Sequence, residues 1–106
     1  MNKILEEIAE LNKLENKSIP EKILKFNEEF GEFSAEVVKL LGLSHKPYDR
    51  EHLVEEMADT LQVLLSTYLN ICVETGDITI NDILNKIPEK NQKWREKMLE
   101  YTINLK

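Results

Sequence analysis

Apolar residues recur at three- and four-residue intervals through most of this chain, and they almost never alternate. Ile4, Leu5, Ile8, Leu11 and Leu14 form one stripe. Phe26, Phe30, Phe33, Val37 and Leu40 form a second, and Leu53, Val54, Met57, Leu61, Leu64, Tyr68 and Cys72 a third. That period belongs to helices with a packed face. Strand-like alternation is confined to "ITI" at 78–80, too short to build a sheet. The chain is therefore expected to be all-α.

Punctuation divides the pattern. The first helix is expected over 2–15, interrupted by "NKSIPEK". Ser18 can cap the second, with Pro20 near its first turn and Glu21 completing a capping box. Gly42 is a stop signal after Leu41. "GLSHKPYD" is the following loop, and its last residue, Asp49, is an N-cap for a third helix over 50–74. A fourth helical region begins near Asn81, where Pro88 should break or kink it. The expectation is a four-to-five-helix bundle, and 106 residues suit one domain spanning 1–106.

The third helix adds Val63, Leu69, Ile71 and Val73 on sides away from its main stripe. A helix apolar nearly all round must be buried nearly all round, which four helices of this length scarcely achieve alone. A homo-dimer or homo-tetramer is expected, with this helix at its centre.

Charge narrows the function classes. The chain is 42% hydrophobic and 32% charged with net charge −6, a profile that argues against nucleic acid or anionic membrane as partner. A divalent cation could still mediate contact with a polyphosphate. The lone Cys72 forms no intrachain disulfide and falls on an apolar stripe, as a core residue in a reducing compartment would. "MNKILEEIAELNKLENK" is too acidic for a signal peptide, and no apolar run reaches bilayer length. A cytoplasmic location follows as the expectation.

The stretch "EEFGEF" at 28–33 does not fit a plain amphipathic helix. Glu29, Glu32 and Glu36 lie beside the apolar stripe, one edge over from it. Gly31 in a helix interior is unfavourable by about 1 kcal/mol relative to alanine. The third helix carries "EEMAD", where Glu56 and Asp59, three apart, project from one side. Antiparallel packing of the two helices would let Glu29, Glu32, Glu56 and Asp59 meet. Each close like-charge pair there costs on the order of 4 kcal/mol at an effective dielectric near 20, so protonation or a cation must intervene. All-oxygen ligands select Mg²⁺ or Mn²⁺, and Mg²⁺ commonly shares its sphere with substrate phosphates. "EEIAE" at 6–10 matches the first motif equally well and reads as a solvated face. No Glu-x-x-His pair, P-loop or Cys/His zinc spacing is present.

E-E-x-x-E at Glu28, Glu29 and Glu32, followed by E-x-x-D at Glu56 and Asp59, resembles the MazG-like all-α nucleotide pyrophosphohydrolases. The resemblance implies Mg²⁺-dependent hydrolysis of a nucleoside triphosphate to monophosphate and pyrophosphate. It implies metal ligands Glu29, Glu32, Glu56 and Asp59, with Glu28 activating the attacking water. It also implies substrate contacts from Lys90, Asn91 and Arg95, with Lys86 a turn earlier. Lys86, Lys90, Lys93 and Lys97 form a basic stripe that suits a polyphosphate or is ordinary surface charge paired with Glu89, Glu96 and Glu100. Trp94 reads as a core or interface residue ahead of a base-stacking one. Two other readings stand beside this one: a non-catalytic helical interaction module, and a phosphoribosyl-ATP pyrophosphohydrolase sharing the chemistry.

Overall fold

The computed structural model describes residues 2–105, most of which lie in four helices: α1 (Asn2–Leu14), α2 (Ile19–Leu40), α3 (Arg50–Thr75) and α4 (Ile80–Leu105). No strand occurs among the described residues, and "ITI" is split between a connection and the first residue of α4. Among the described residues no helix is long and apolar enough to cross a membrane.

Local chemistry sets the helix limits. At the start of α2, Ser18 Oγ accepts from the Glu21 amide at 3.3 Å, and the Ser18 amide donates to Glu21 Oε1 at the same distance. This reciprocal pair satisfies two otherwise orphaned amides. α2 ends where Gly42 adopts a left-handed φ of 72°, with the Leu43 amide donating back to Val38 O. Asp49 Oδ1 accepts from the amides of Glu51 and His52 to open α3. Gly76, at φ 74°, closes it. Thr79 and Asp82 repeat the reciprocal cap before α4.

Of the two outcomes expected at Pro88, a break or a kink, the break does not occur: Pro88 lies inside a continuous α4. Proline removes one backbone donor, and here the intact turns on both sides carry the helix through.

Side-chain ties fix the packing. Thr60 of α3 reaches the carbonyl of Glu29 on α2, while Ser66, further along α3, meets Lys22, further back on α2. The two helices therefore run antiparallel, and theirs is the longest contact in the fold. α1 packs on α3, and α4 approaches α3 but not α1 or α2.

The buried residues are not those an amphipathic stripe suggests. On α2 the buried positions are Lys22, Glu29 and Glu36, seven residues apart, while Phe30 and Leu40 are exposed. Phe26 and Phe33 are half-buried and flank Phe30 in an aromatic row with centroids 6.1 and 5.8 Å apart. The face expected to be core is thus half-buried at Phe26, Phe33 and Val37 and exposed at Phe30 and Leu40, and a polar seam meets α3. Ile8 is the one large apolar residue among those described that is buried, and it keeps 6% exposure. On α3, Val54, Met57, Leu61 and Val73 are exposed, and Cys72 is half-buried.

Gly31 has open space around it: an added methyl group would meet no atom within 4 Å. Nothing in the protomer approaches closely enough to require a glycine. Gly31→Ala is expected to raise stability by about 0.5–1 kcal/mol through helix propensity alone. An increased urea midpoint would agree; a decrease would place a neighbour against this turn in the assembly.

Candidate metal centre

Three of the carboxylates singled out by the motifs come together. Glu29 and Glu32 of α2 and Glu56 of α3 each place an oxygen within 4.8 Å of the other two. The meeting follows from the antiparallel register: Thr60 Oγ1 donates to Glu56 O at 2.7 Å and lies 3.3 Å from Glu29 O, which locks this level of the two helices together. Glu29 is buried, Glu56 half-buried and Glu32 exposed, so the cluster opens outward at Glu32.

The electrostatics are unbalanced. Lys25, one turn before Glu29, pairs with it at 3.0 Å and with Glu28 at 3.8 Å. These acids raise the Lys25 ammonium above its ordinary range, the hydrogen bond to Glu29 first and the charge of Glu28 next. One cation does not offset three carboxylates. Glu32's carboxyl is held above the usual carboxylate range, first by the negative charge of Glu29, then by desolvation and a hydrogen bond to Glu29, with Glu56 and Glu28 adding. Oε2 of Glu29 and Oε2 of Glu56 are buried with no hydrogen-bond partner. Buried acceptors without donors are unfavourable by about 1–3 kcal/mol each, more when charged. A hard divalent cation would satisfy both oxygens and the like-charge repulsion together, and the all-oxygen donor set fits such an ion. Glu36 Oε2 is orphaned too, and Glu36 pairs with Lys39 at 2.7 Å much as Glu29 pairs with Lys25, but among the described residues Glu36 belongs to no converging set of carboxylates.

The remaining sequence-selected residues are placed differently. Asp59 is exposed, one turn beyond Glu56, and lines a groove between α1 and α3 with Ile4, Glu7 and Ile8. It lies outside the set of three whose oxygens converge. Glu28 is exposed beside the cluster, turned toward Lys25. Lys86 pairs with Glu89 at 3.2 Å, and Arg95 donates to Gln92 Oε1 at 2.6 Å. Lys90 and Asn91 lie on exposed faces of α4, and Trp94 is exposed as well.

One protomer does not bring α4's cations to the carboxylates. Glu56 lies about 28 Å of helix before the end of α3, and Lys90 only about 15 Å past the start of α4. α4 makes no approach to α2. Lys22 was not singled out by motif reading, although it is the most buried polar residue described, 3% exposed. Its only signal in the sequence is the seven-residue spacing Lys22, Glu29, Glu36. Glu6, Glu7 and Glu10 are exposed, as a solvated face requires.

The description "MazG nucleotide pyrophosphohydrolase domain" matches residues 1–99, and the chain belongs to that family. Its members are pyrophosphohydrolases and are generally dependent on divalent metal. No curated protein and no solved structure matches the chain.

The raised Glu32 sets a test of the cluster. A carboxyl raised in the folded state favours folding when protonated, below the ordinary value of 4.5, and that contribution is lost as pH rises through the folded value. Glu32→Gln, uncharged at every pH, is expected to raise the melting temperature of metal-free protein at pH 7 by a few degrees and to lose that advantage near pH 4. Mg²⁺ or Mn²⁺ should raise the melting temperature of the wild type and move the variant much less. Differential scanning fluorimetry over pH, with and without metal, reads both.

Proposed function

We propose, from the family membership and the clustered carboxylates, that this chain hydrolyses a nucleoside or deoxynucleoside triphosphate to the monophosphate and pyrophosphate. The observation that carries the reading is the pair of orphaned, buried oxygens on Glu29 and Glu56, facing a third carboxylate. A solvated acidic face has no reason to bury such groups beside a helix contact. A purely interactive helical module would need none of them.

Glu29, Glu32 and Glu56 would hold Mg²⁺, with Mn²⁺ as substitute, and Asp59 would extend the set from the next turn of α3. When bound, the ion would neutralise charge on the phosphates and on the leaving pyrophosphate. Glu28, exposed beside the cluster, would accept the proton of the attacking water. Oxygen of that water bonds to phosphorus, the bridging P–O bond between the α- and β-phosphates breaks, and pyrophosphate leaves. Lys90 and Arg95, with Lys86 and Asn91 beside them, would hold the phosphates. Domain 1–106 would act as a unit, and clearing unwanted nucleotides from a pool is the role that suits such an activity.

Assembly is part of the same reading. Exposed Phe30, Leu61, Val73, Leu84, Trp94 and Met98 leave the protomer with large apolar area in water. α4 stands clear of α1 and α2, so its basic side chains would reach a carboxylate cluster on another copy. A homo-dimer or homo-tetramer, placed in the cytoplasm, completes the proposal.

Turnover with Mg²⁺, followed chromatographically as monophosphate and pyrophosphate, tests the reaction. Glu29→Gln and Glu56→Gln should each lower kcat/KM by roughly a hundredfold or more, and Lys90→Ala and Arg95→Ala should chiefly raise KM. No pyrophosphate from any nucleotide, or release that survives both glutamate substitutions, would favour the interaction module. Sedimentation equilibrium should give a multiple of the 12.4 kDa chain mass, and a monomer would remove the shared-site arrangement.

A further inference from the structure

A cavity of about 220 Å³ lies where α1 meets α2 and α3, next to the carboxylates and distinct from them. Ile8, Leu11 and Val63 supply its apolar surface, and the rest of its lining is polar or charged: Lys17, Lys22 and Lys25 with Glu15, and Asn12, Gln62 and Ser66. An apolar surface beside placed polar groups suits a flat heterocycle.

Lys22 is the unusual member. Its ammonium is buried and donates to Asn12 Oδ1 at 2.6 Å and Ser66 Oγ at 2.8 Å. Its third proton has no acceptor within hydrogen-bond reach among the described residues, since Glu15 Oε1 stands at 3.9 Å. Asn12 and Ser66 are themselves committed: Asn12 Nδ2 donates to Ser66 O, and Ser66 Oγ donates to Asn12 Oδ1. The network pins one residue from each of three helices and leaves the ammonium one hydrogen bond short, with only the longer ion pair to Glu15 at the cavity's edge.

The cavity continues into the carboxylate site. Lys25 lines it and pairs with Glu29. Gln62 lines it and also lines the neighbouring groove that holds Asp59, one turn earlier on α3. Along α2, Lys22 stands two turns from Glu29, about 10.5 Å of helix. A nucleotide with its phosphates at Glu29, Glu32 and Glu56 therefore has this cavity within reach of its nucleoside.

We propose that the cavity is the nucleoside end of the same site, and that Lys22 selects bases presenting a carbonyl oxygen to it. Resting on the pyrophosphohydrolase reading for its phosphate end, the inference adds a substrate class. A buried ammonium can only donate. A base with a carbonyl there, of the uracil, hypoxanthine or guanine type, accepts the free proton. A base with an amino group there sets donor against donor and leaves both unmet. Gln62, with donor and acceptor on one carboxamide, matches the adjacent carbonyl and ring N–H of such bases.

Titration calorimetry with nucleoside monophosphates on the full chain, with Mg²⁺ present to offset the carboxylates, tests this independently of turnover. UMP against CMP and IMP against AMP each exchange one carbonyl for one amino group. The wild type is expected to bind UMP and IMP about tenfold or more tighter than their partners, and Lys22→Met to erase the difference. Circular dichroism checks that the variant folds. Gln62→Glu, at an exposed rim position, gives a second reading by turning the matching donor into an acceptor and narrowing the preference. Equal affinities within both pairs, no binding of any monophosphate, or a preference untouched by the folded variants would overturn the inference. A chain that releases pyrophosphate yet binds all four alike keeps the activity and loses the selective pocket. Selective binding without turnover does the reverse.

Discussion

Crowding of like charge at one level of the α2–α3 contact is the constraint around which the fold is arranged. Glu29, Glu32 and Glu56 place oxygens within 4.8 Å of one another, two of them on groups with buried, partnerless oxygens. Like charges this close repel, and the exposed position of Glu32 eases the repulsion through solvent. The helices meet there only because other contacts hold them. Thr60 bridges the two backbones at that level, and two turns away Lys22 ties α2 to Asn12 and Ser66. The strain is local, and the ties that bear it are polar.

The same arrangement explains the shortage of apolar core. With Lys22, Glu29 and Glu36 taking the inward positions of α2, Phe26 and Phe33 are left half-buried at the edge of that seam and Phe30 is exposed. A helix has one seam toward each neighbour. Here the intramolecular seam carries chemistry, and the apolar surface is left for contacts between copies. On the proposed reading stability and site assembly would be coupled, because burial of the apolar faces and delivery of α4's cations would both need a second chain.

Helix identity was legible because caps and periodicity are local. Ser18 with Glu21, Gly42, Asp49 and Gly76 act on residues within a turn or two, and each sits where its chemistry demands. The meeting of Glu29, Glu32 and Glu56 was legible from spacing plus a short loop, which forces antiparallel neighbours. Two features were not. Periodicity says that a helix has an apolar face but not whether that face packs within the chain or against another, so Phe30 was assigned to the core and Glu29 to its edge. A lysine followed by two glutamates at seven-residue spacing looks like solvated charge, and only the partners brought by α1 and α3 make Lys22 a buried donor. Pro88 failed as a breaker for a related reason: one lost backbone bond is small beside a helix of 26 residues.

Charge counting joins the metal centre to the adjacent cavity. Three carboxylates against Lys25 leave two negative charges, which is what one divalent cation brings. A triphosphate arriving on that neutral assembly adds its own negative charge and must find further cations. Lys25 can supply one of them, because a divalent ion on Glu29 weakens the hold that carboxylate has on the ammonium. Lys25 also lines the cavity where Lys22 waits with an unspent proton. On the proposed reading it stands at the joint between phosphate and nucleoside, exchanging a carboxylate partner for a phosphate one as the site fills. The remaining charge falls to α4, whose lysines and Arg95 are held apart from the cluster in a single protomer. On that reading the metal would answer the charge of the carboxylates, and Lys25 with a second chain's α4 would answer the charge the nucleotide adds.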